Sequence, residues 1–520
     1  MRNALIVNAT AGSGKTTTIV DGLSFVNTGK ETSRYKPSDE QKAIWGWMKD
    51  NISSNGEVVV CAFSNAIAGE LKERLTFGVA TTIHSLGCRI MRENKIRIGR
   101  PDTWKTTNLY QEFCQVKNMK ELSQAQRAIL DDTKELVKIC KDNVLTEDDI
   151  TENRVACLAM DNEYTFASSA SACTEAIRYV LTEGSKLPTQ GSVKHTAFSK
   201  AKPVKGIAID FDDMIYLPAR YGWKISADCI IVDEAQDLSA GKLQLITNQE
   251  CKTFVFVGDP NQAIFAFAGA QSDSFSKIAE SVEQIETLPL SFTYRCGKSI
   301  VAEAQKIVGN AINAGETNPE GEVCHIEAAD MDLQVGDMLV SRVNAPLMQI
   351  AWKLVKANKP VQVVGRNIGT GLVRLINKLT DKQSVDAVTL CQLVEDWRDH
   401  QIKLLQTKKY DTESRQIAIG DQADCICTIA TNCKTSAEVL SFIQQIFNDV
   451  EKGTIRLSSI HRAKGLEADS VYFYNPRNVP HPLAKTEEAK KQEWNLKFVA
   501  VTRAIHKLVY VLVPEKTGKA

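Results

Sequence analysis

Three carboxylates, Asp233, Glu234 and Asp237, stand in "VDEAQD" at the end of the apolar run "CIIV". Charge at the end of a buried strand is costly unless it is paired or bound to metal. The cluster is therefore a solvated turn or a metal site with its base, and the second reading needs a phosphate holder elsewhere. "ATAGSGKT" (Ala9 to Thr16) has the composition of one, with Ala9 in place of the usual first glycine. Glycines let successive backbone N–H groups point into one concavity, and a helix N-terminus behind them adds partial positive charge. Ala11, Gly12, Ser13, Gly14, Lys15, Thr16 and Thr17 are then the predicted nucleotide contacts. Lys15 would reach the β- and γ-phosphates and Thr16 would place its hydroxyl on Mg²⁺. Asp233 would hold the same Mg²⁺, and Glu234 would orient and deprotonate the attacking water. One acid for the metal and one for the base explains their adjacency.

These residues need a strand–loop–helix unit and a second strand ending beside it. Ala4 to Val7 is apolar and Thr16 to Leu23 reads as a helix, so the loop lies between a strand and a helix. "CIIV" is continuous and apolar, as expected of a central parallel strand buried on both faces.

Further blocks narrow the reading. "VFVGDPNQAIFAFAGA" (Val255 to Ala270) resembles the third motif of superfamily 1A helicases, the UvrD/Rep/PcrA group. The resemblance implies that Gln262 senses the γ-phosphate and that Phe265 and Phe267 stack on DNA bases. Ala268 replaces an arginine of that pattern, so one DNA contact is missing. "VVVCAFSNAIAGELKERL" and "TTIHSL" are similar to two upstream motifs, implying DNA contacts by Phe63, Asn65 and His84. "DFDDMI" (Asp210 to Ile215) matches an acidic segment before "DEAQD". "LPLSFTYRC" implies Tyr294 stacked on adenine and Arg295 as an arginine finger. "LVSRVNAPL" (Leu339 to Leu347) looks like a strand of the second motor domain. "LSSIHRAKGLEADSVYF" implies His461 near DNA and Glu467 on the ribose. "FVAVTRAIHKLVYV" implies Arg503 as the second arginine finger. The blocks run in family order from Ala4 to Val511. They imply an α/β fold of two RecA-like motor domains, parallel sheets flanked by helices, with mainly helical insertions.

On that likeness residues 1–90 and 205–285 form the first motor domain and 91–204 an insertion. Residues 286–372 and 453–520 form the second motor domain, with a shortened insertion at 373–452. The implied activity is ATP-dependent, 3′-to-5′ translocation on single-stranded DNA with unwinding at duplex junctions. Its cofactors are ATP and Mg²⁺, and two distant arginines on one phosphate imply a cleft that closes on ATP. Two other readings stand beside it: a translocase that strips proteins from DNA, and the motor subunit of a nuclease or defence complex, with a separate nuclease or a replication or repair protein as partner. The family's adenine-reading glutamine precedes the phosphate loop, where only eight residues stand before Ala9. "KPSDEQKAIWGW" is similar to that segment displaced downstream. There Ser38 would cap a helix and Gln41 would read adenine; the competing reading is an exposed helix start.

Composition sets outer bounds. Lys+Arg and Asp+Glu are both 63, which argues against a globally basic coat protein yet allows a local basic groove. No apolar run approaches the ~18 residues of a membrane span, and the first residues enter the glycine-rich loop too soon for a signal peptide. A cytoplasmic setting, in a bacterium or a virus-infected host, is expected. Of the 14 cysteines, Cys425, Cys427 and Cys433 cluster, but without a second pair at metal-site spacing they read as free thiols.

Overall fold

The computed structural model describes residues 2–32, 34–161, 164, 166–187, 207–264, 274–406, 413–447 and 453–514. The chain divides into two compact units, Met1–Ala9 with Gly14–Leu290, and Thr10–Ser13 with Ser291–Ala520.

The first unit is built on a sheet of β1 (Asn3–Ala9), β2 (Val58–Ala62), β3 (Val79–Thr82), β4 (Ser226–Val232), β5 (Glu250–Gly258) and β6 (Gln284–Leu290). Their order is β3-β2-β4-β5-β1-β6 and every pairing is parallel. Parallel strands covered on both faces need continuous apolar runs, and "VVVCA" of β2 is buried at every residue. One face packs against α1 (Lys15–Thr28) and α2 (Asp39–Asn51) through Leu23, Trp45 and Met48. The other carries α4 (Ile83–Glu93) through Leu86 and Ile90. The boundary expected at 285 falls inside β6, which pairs with β1 from Asn3↔Gln284 to Ala9↔Leu290. As an exposed edge strand, β6 lacks the apolar run that marks its neighbours.

The described part of 91–204 is helical. Its apolar residues join Met91 of α4 and Tyr216 in one core. A buried ionic cluster ties it to the Asp213–Tyr221 helix: Lys105 Nζ lies 2.6 Å and Lys141 Nζ 2.8 Å from the carboxylate of Asp213, which is 0% exposed. Burial raises the Asp213 carboxyl, but both lysines outweigh it and hold its pKa well below the usual range. "DFDDMI" therefore serves as an anchor for the insertion.

In the second unit a short pair, β7 (Phe292–Thr293) and β8 (Asn313–Ala314), precedes the second sheet. That sheet comprises β9 (Glu322–Glu327), β10 (Met338–Ser341), β11 (Val361–Val363), β12 (Ile455–Ser459), β13 (Ala468–Tyr474) and β14 (Ala504–Leu512). It is also parallel, in the order β11-β12-β10-β13-β14-β9. Helices Ala387–Gln406, Glu413–Ala430 and Ser436–Ile446 lie within residues 373–452. Their Leu390, Val394, Ile426 and Phe442 share one core with Leu339 of β10 and Leu457 of β12. Asp421 also accepts hydrogen bonds from the Asn344 and Ala345 amides just after β10. Among the described residues no helix is long and apolar enough to cross a membrane.

Candidate active site

The C-terminal ends of β1, β4 and β5 lie side by side, with Asn8 opposite Gly258 and Val232 opposite Phe256. This is the edge of a parallel sheet where ligands bind, and each strand delivers one part of the site. After β1 the chain turns through Gly12 (φ 69°) and Gly14 (φ 76°), left-handed conformations that suit glycine. Gly14 caps α1, so Lys15 and Thr16 open that helix. The hydroxyls of Thr10 and Ser13 are buried with no hydrogen-bond partner among the described residues. Buried polar groups are normally satisfied, and phosphate oxygens would accept from both. The loop therefore fits a nucleotide triphosphate.

After β4, Asp233 is 4% exposed and accepts from Thr16 Oγ1 at 3.3 Å. Burial first, then Glu234, pushes its carboxyl up against the pull of Lys15, to about 6. Two oxygen donors, Thr16 and Asp233, suit Mg²⁺, which keeps several waters and substrate phosphates. Glu234 pairs with Lys15 Nζ at 2.7 Å and sits at φ 55°, uncommon outside glycine. Burial lowers the Lys15 pKa, but Glu234, Asp233 and Asp259 outweigh it and hold it above the usual value.

After β5, Asp259 accepts from Gln262 Nε2 at 2.7 Å and is pushed by burial to about 6 despite Lys15. Gln236 joins the two strand ends, donating to Glu234 Oε2 at 2.6 Å and accepting from the Asp259 amide at 3.0 Å. A Cβ on Gly258 would lie 2.2 Å from Gln236 Oε1, so the glycine makes that bridge possible. Lys15, Thr16, Asp233, Glu234 and Gln262 are thus gathered at one sheet edge. The roles of Asp259 and Gln236 were not singled out from sequence; their signal was position within the matched motifs. Arg74, at the end of α3 (Asn65–Arg74), donates to Thr17 Oγ1 at 3.0 Å, and nothing local in its sequence marks it.

Gln41 is 2% exposed. It forms a capping box with Ser38 at the start of α2, and its Nε2 donates to Thr18 Oγ1 at 3.1 Å. The cap expected at Ser38 is present. The glutamine is not an exposed helix start, and both ends of its amide are engaged.

Phe63, 51% exposed, and Asn65 follow β2, while His84 opens α4 after β3. Lys242 Nζ stands 5.2 Å from the Phe63 ring centroid. Burial, then Lys242, lowers the pKa of His84. Phe265 and Phe267 lie outside the described residues.

In the second unit Tyr294 is 49% exposed. Arg295 Nε pairs with Glu467 at 2.7 Å. Arg503 is 1% exposed and donates to the Val499 and Leu466 carbonyls and to Thr502 Oγ1. His461 is half-buried, and burial with Arg342 and Arg462 pushes its pKa down to about 3, leaving it neutral near pH 7. Among the described residues no three His, Cys, Asp or Glu side chains are grouped to hold a metal, and Cys425, Cys427 and Cys433 are free thiols.

The chain is 25% identical over 307 residues to F-box DNA helicase 1 of Gallus gallus, covering 53% of this chain and 28% of that protein. It is 23% identical over 326 residues to ATP-dependent DNA helicase Rep of Salmonella typhimurium, covering 59% and 41%. It is 24% identical over 339 residues to ATP-dependent DNA helicase PcrA of Staphylococcus aureus, covering 61% and 39%. The matched region thus spans less than half the length of these relatives. Residues 434–514 match the UvrD-like helicase C-terminal domain and residues 1–283 match the UvrD/REP helicase N-terminal domain, and the chain belongs to that helicase family.

Proposed function

We propose that the chain is an ATP-dependent motor that moves 3′ to 5′ along single-stranded DNA and opens duplex junctions. The observation that carries the reading is the gathering of Lys15, Thr16, Asp233, Glu234 and Gln262 at one sheet edge beside two unsatisfied hydroxyls. In this reading Lys15 leaves Glu234 for the phosphates. Glu234, so freed, orients a water and takes its proton. Gln262, anchored by Asp259, sits where a γ-phosphate is detected. Thr16 and Asp233 hold Mg²⁺, whose charge offsets that of the phosphates. Arg295 and Arg503 are assigned to the transferred phosphate, Tyr294 to adenine and Glu467 to the ribose, all from family likeness. Arg295 then exchanges Glu467 for phosphate, and Arg503 exchanges backbone carbonyls. Phe63, Asn65, His84, Phe265, Phe267 and His461 are assigned to the DNA strand. Direction rests on the "HRAKGLE" form of the C-terminal motif.

The test is ATP turnover with and without single-stranded DNA. Strong stimulation is expected in the wild type and near-complete loss in Glu234→Gln. Turnover indifferent to DNA would overturn the reading. Strand displacement with and without a bound protein roadblock separates unwinding from protein stripping.

A further inference from the structure

The DNA contacts implied by likeness near β2 and β3 are one aromatic ring, one amide and one neutral histidine, none of which neutralises a phosphate. Phosphate neutralisation supplies much of the affinity for a nucleic-acid backbone. Two lysines from distant parts of the sequence stand beside those residues. Lys242 lies in the first turn of the Ala240–Thr247 helix, half-exposed, with its ammonium over the Phe63 ring. Lys138 belongs to the Gln124–Asp142 helix of the insertion and is exposed. It precedes Asp142 by four residues, which puts both on one helix face. Asp142 is fixed at the foot of the Lys242 helix, accepting from Ser239 Oγ at 3.1 Å. Gly241 makes the close approach possible, since a Cβ there would lie 2.9 Å from the Asp142 carbonyl oxygen. Lys138 and Lys242 are both near enough to His84 for their charge to lower its pKa, with Asp142 opposing. Neither lysine forms an ion pair among the described residues.

We propose that Lys242 and Lys138 hold consecutive backbone phosphates of a single DNA strand, one of whose bases stacks on Phe63. The inference rests on the DNA-motor reading and adds two contacts that its motifs do not contain. Lys242 leaves the ring for a phosphate and a base takes its place on the exposed ring, where stacking contributes about 1–3 kcal/mol. Lys138 brings the insertion into the strand's path, so part of the DNA track is set by residues outside the sheet.

The test is binding of a fluorescent oligo-dT to the full chain across a salt series. Each lysine that neutralises a phosphate contributes roughly 0.7 to the slope of log K against log salt for single strands. Lys242→Ala and Lys138→Ala should each weaken binding and flatten the slope by about that amount, and Lys242→Arg should restore it. Lys252→Ala, at the opposite end of β5, removes the same charge and should leave the slope unchanged. Thermal melts of each variant confirm that it is folded. Unchanged slopes in both alanine variants, or equal flattening in Lys252→Ala, would overturn the assignment and leave the motor reading standing. A wild-type chain that neither binds oligo-dT nor hydrolyses ATP faster in its presence would overturn both.

Discussion

Asp233 and Asp259 are buried carboxylates whose pKa values are pushed to about 6. A carboxyl raised in the fold contributes stability that is complete below its unfolded pKa near 4 and is lost as pH rises through 6. Nucleotide-free protein should therefore lose stability between about pH 4 and 6, read as a falling urea midpoint, and Mg²⁺ with nucleotide should restore it. Asp259→Asn keeps an acceptor for Gln262 but removes the charge. It should raise the stability of nucleotide-free protein at pH 8 by about 1–3 kcal/mol while lowering ATP turnover. An unchanged or lower midpoint would show that Lys15 fully compensates Asp259. At this scale the sequence was most legible where chemistry dictates spacing: Lys15, Asp233 and Glu234 were identified from a loop and a strand end. The left-handed backbone at Glu234 was not legible, because the dihedral is imposed by the turn after β4 and leaves no mark on residue type.

At the scale of elements, the capping box at Ser38 and Gln41 illustrates how one residue serves two readings. Gln41→Ala removes the reciprocal cap and the bond to Thr18, and should cost about 1–2 kcal/mol. Comparing KM for ATP and GTP in the same variant decides whether the residue also reads the base, since a capping role alone leaves the ratio unchanged. The ionic cluster in the insertion makes a larger demand. Asp213→Ala would leave Lys105 and Lys141 buried beside an apolar methyl, at a cost of about 3–5 kcal/mol, measurable by denaturant unfolding. Strands such as β2 and β4 were readable as apolar runs, and the cap at Ser38 as a polar residue before a helical pattern. Edge strand β6, exposed along its first four residues, was not. Lys138, Lys242 and His84 come together only through the packing of three helices, which periodicity within any one segment does not reveal.

At the scale of the whole molecule, each unit carries its own parallel sheet and its own buried core. Unfolding should accordingly depart from a two-state transition, with a calorimetric enthalpy exceeding the van 't Hoff value. Coincidence of the two enthalpies would mean that the units melt as one. The insertion at 373–452 differs from a module strung on a linker. Leu390, Val394, Ile426 and Phe442 help roof the same buried core that contains Leu339 of β10 and Leu457 of β12, so the segment is part of the wall rather than an annex. Pruning it to make a minimal motor would strip that roof and bare a broad oily face to water, and the trimmed chain would clump instead of running faster.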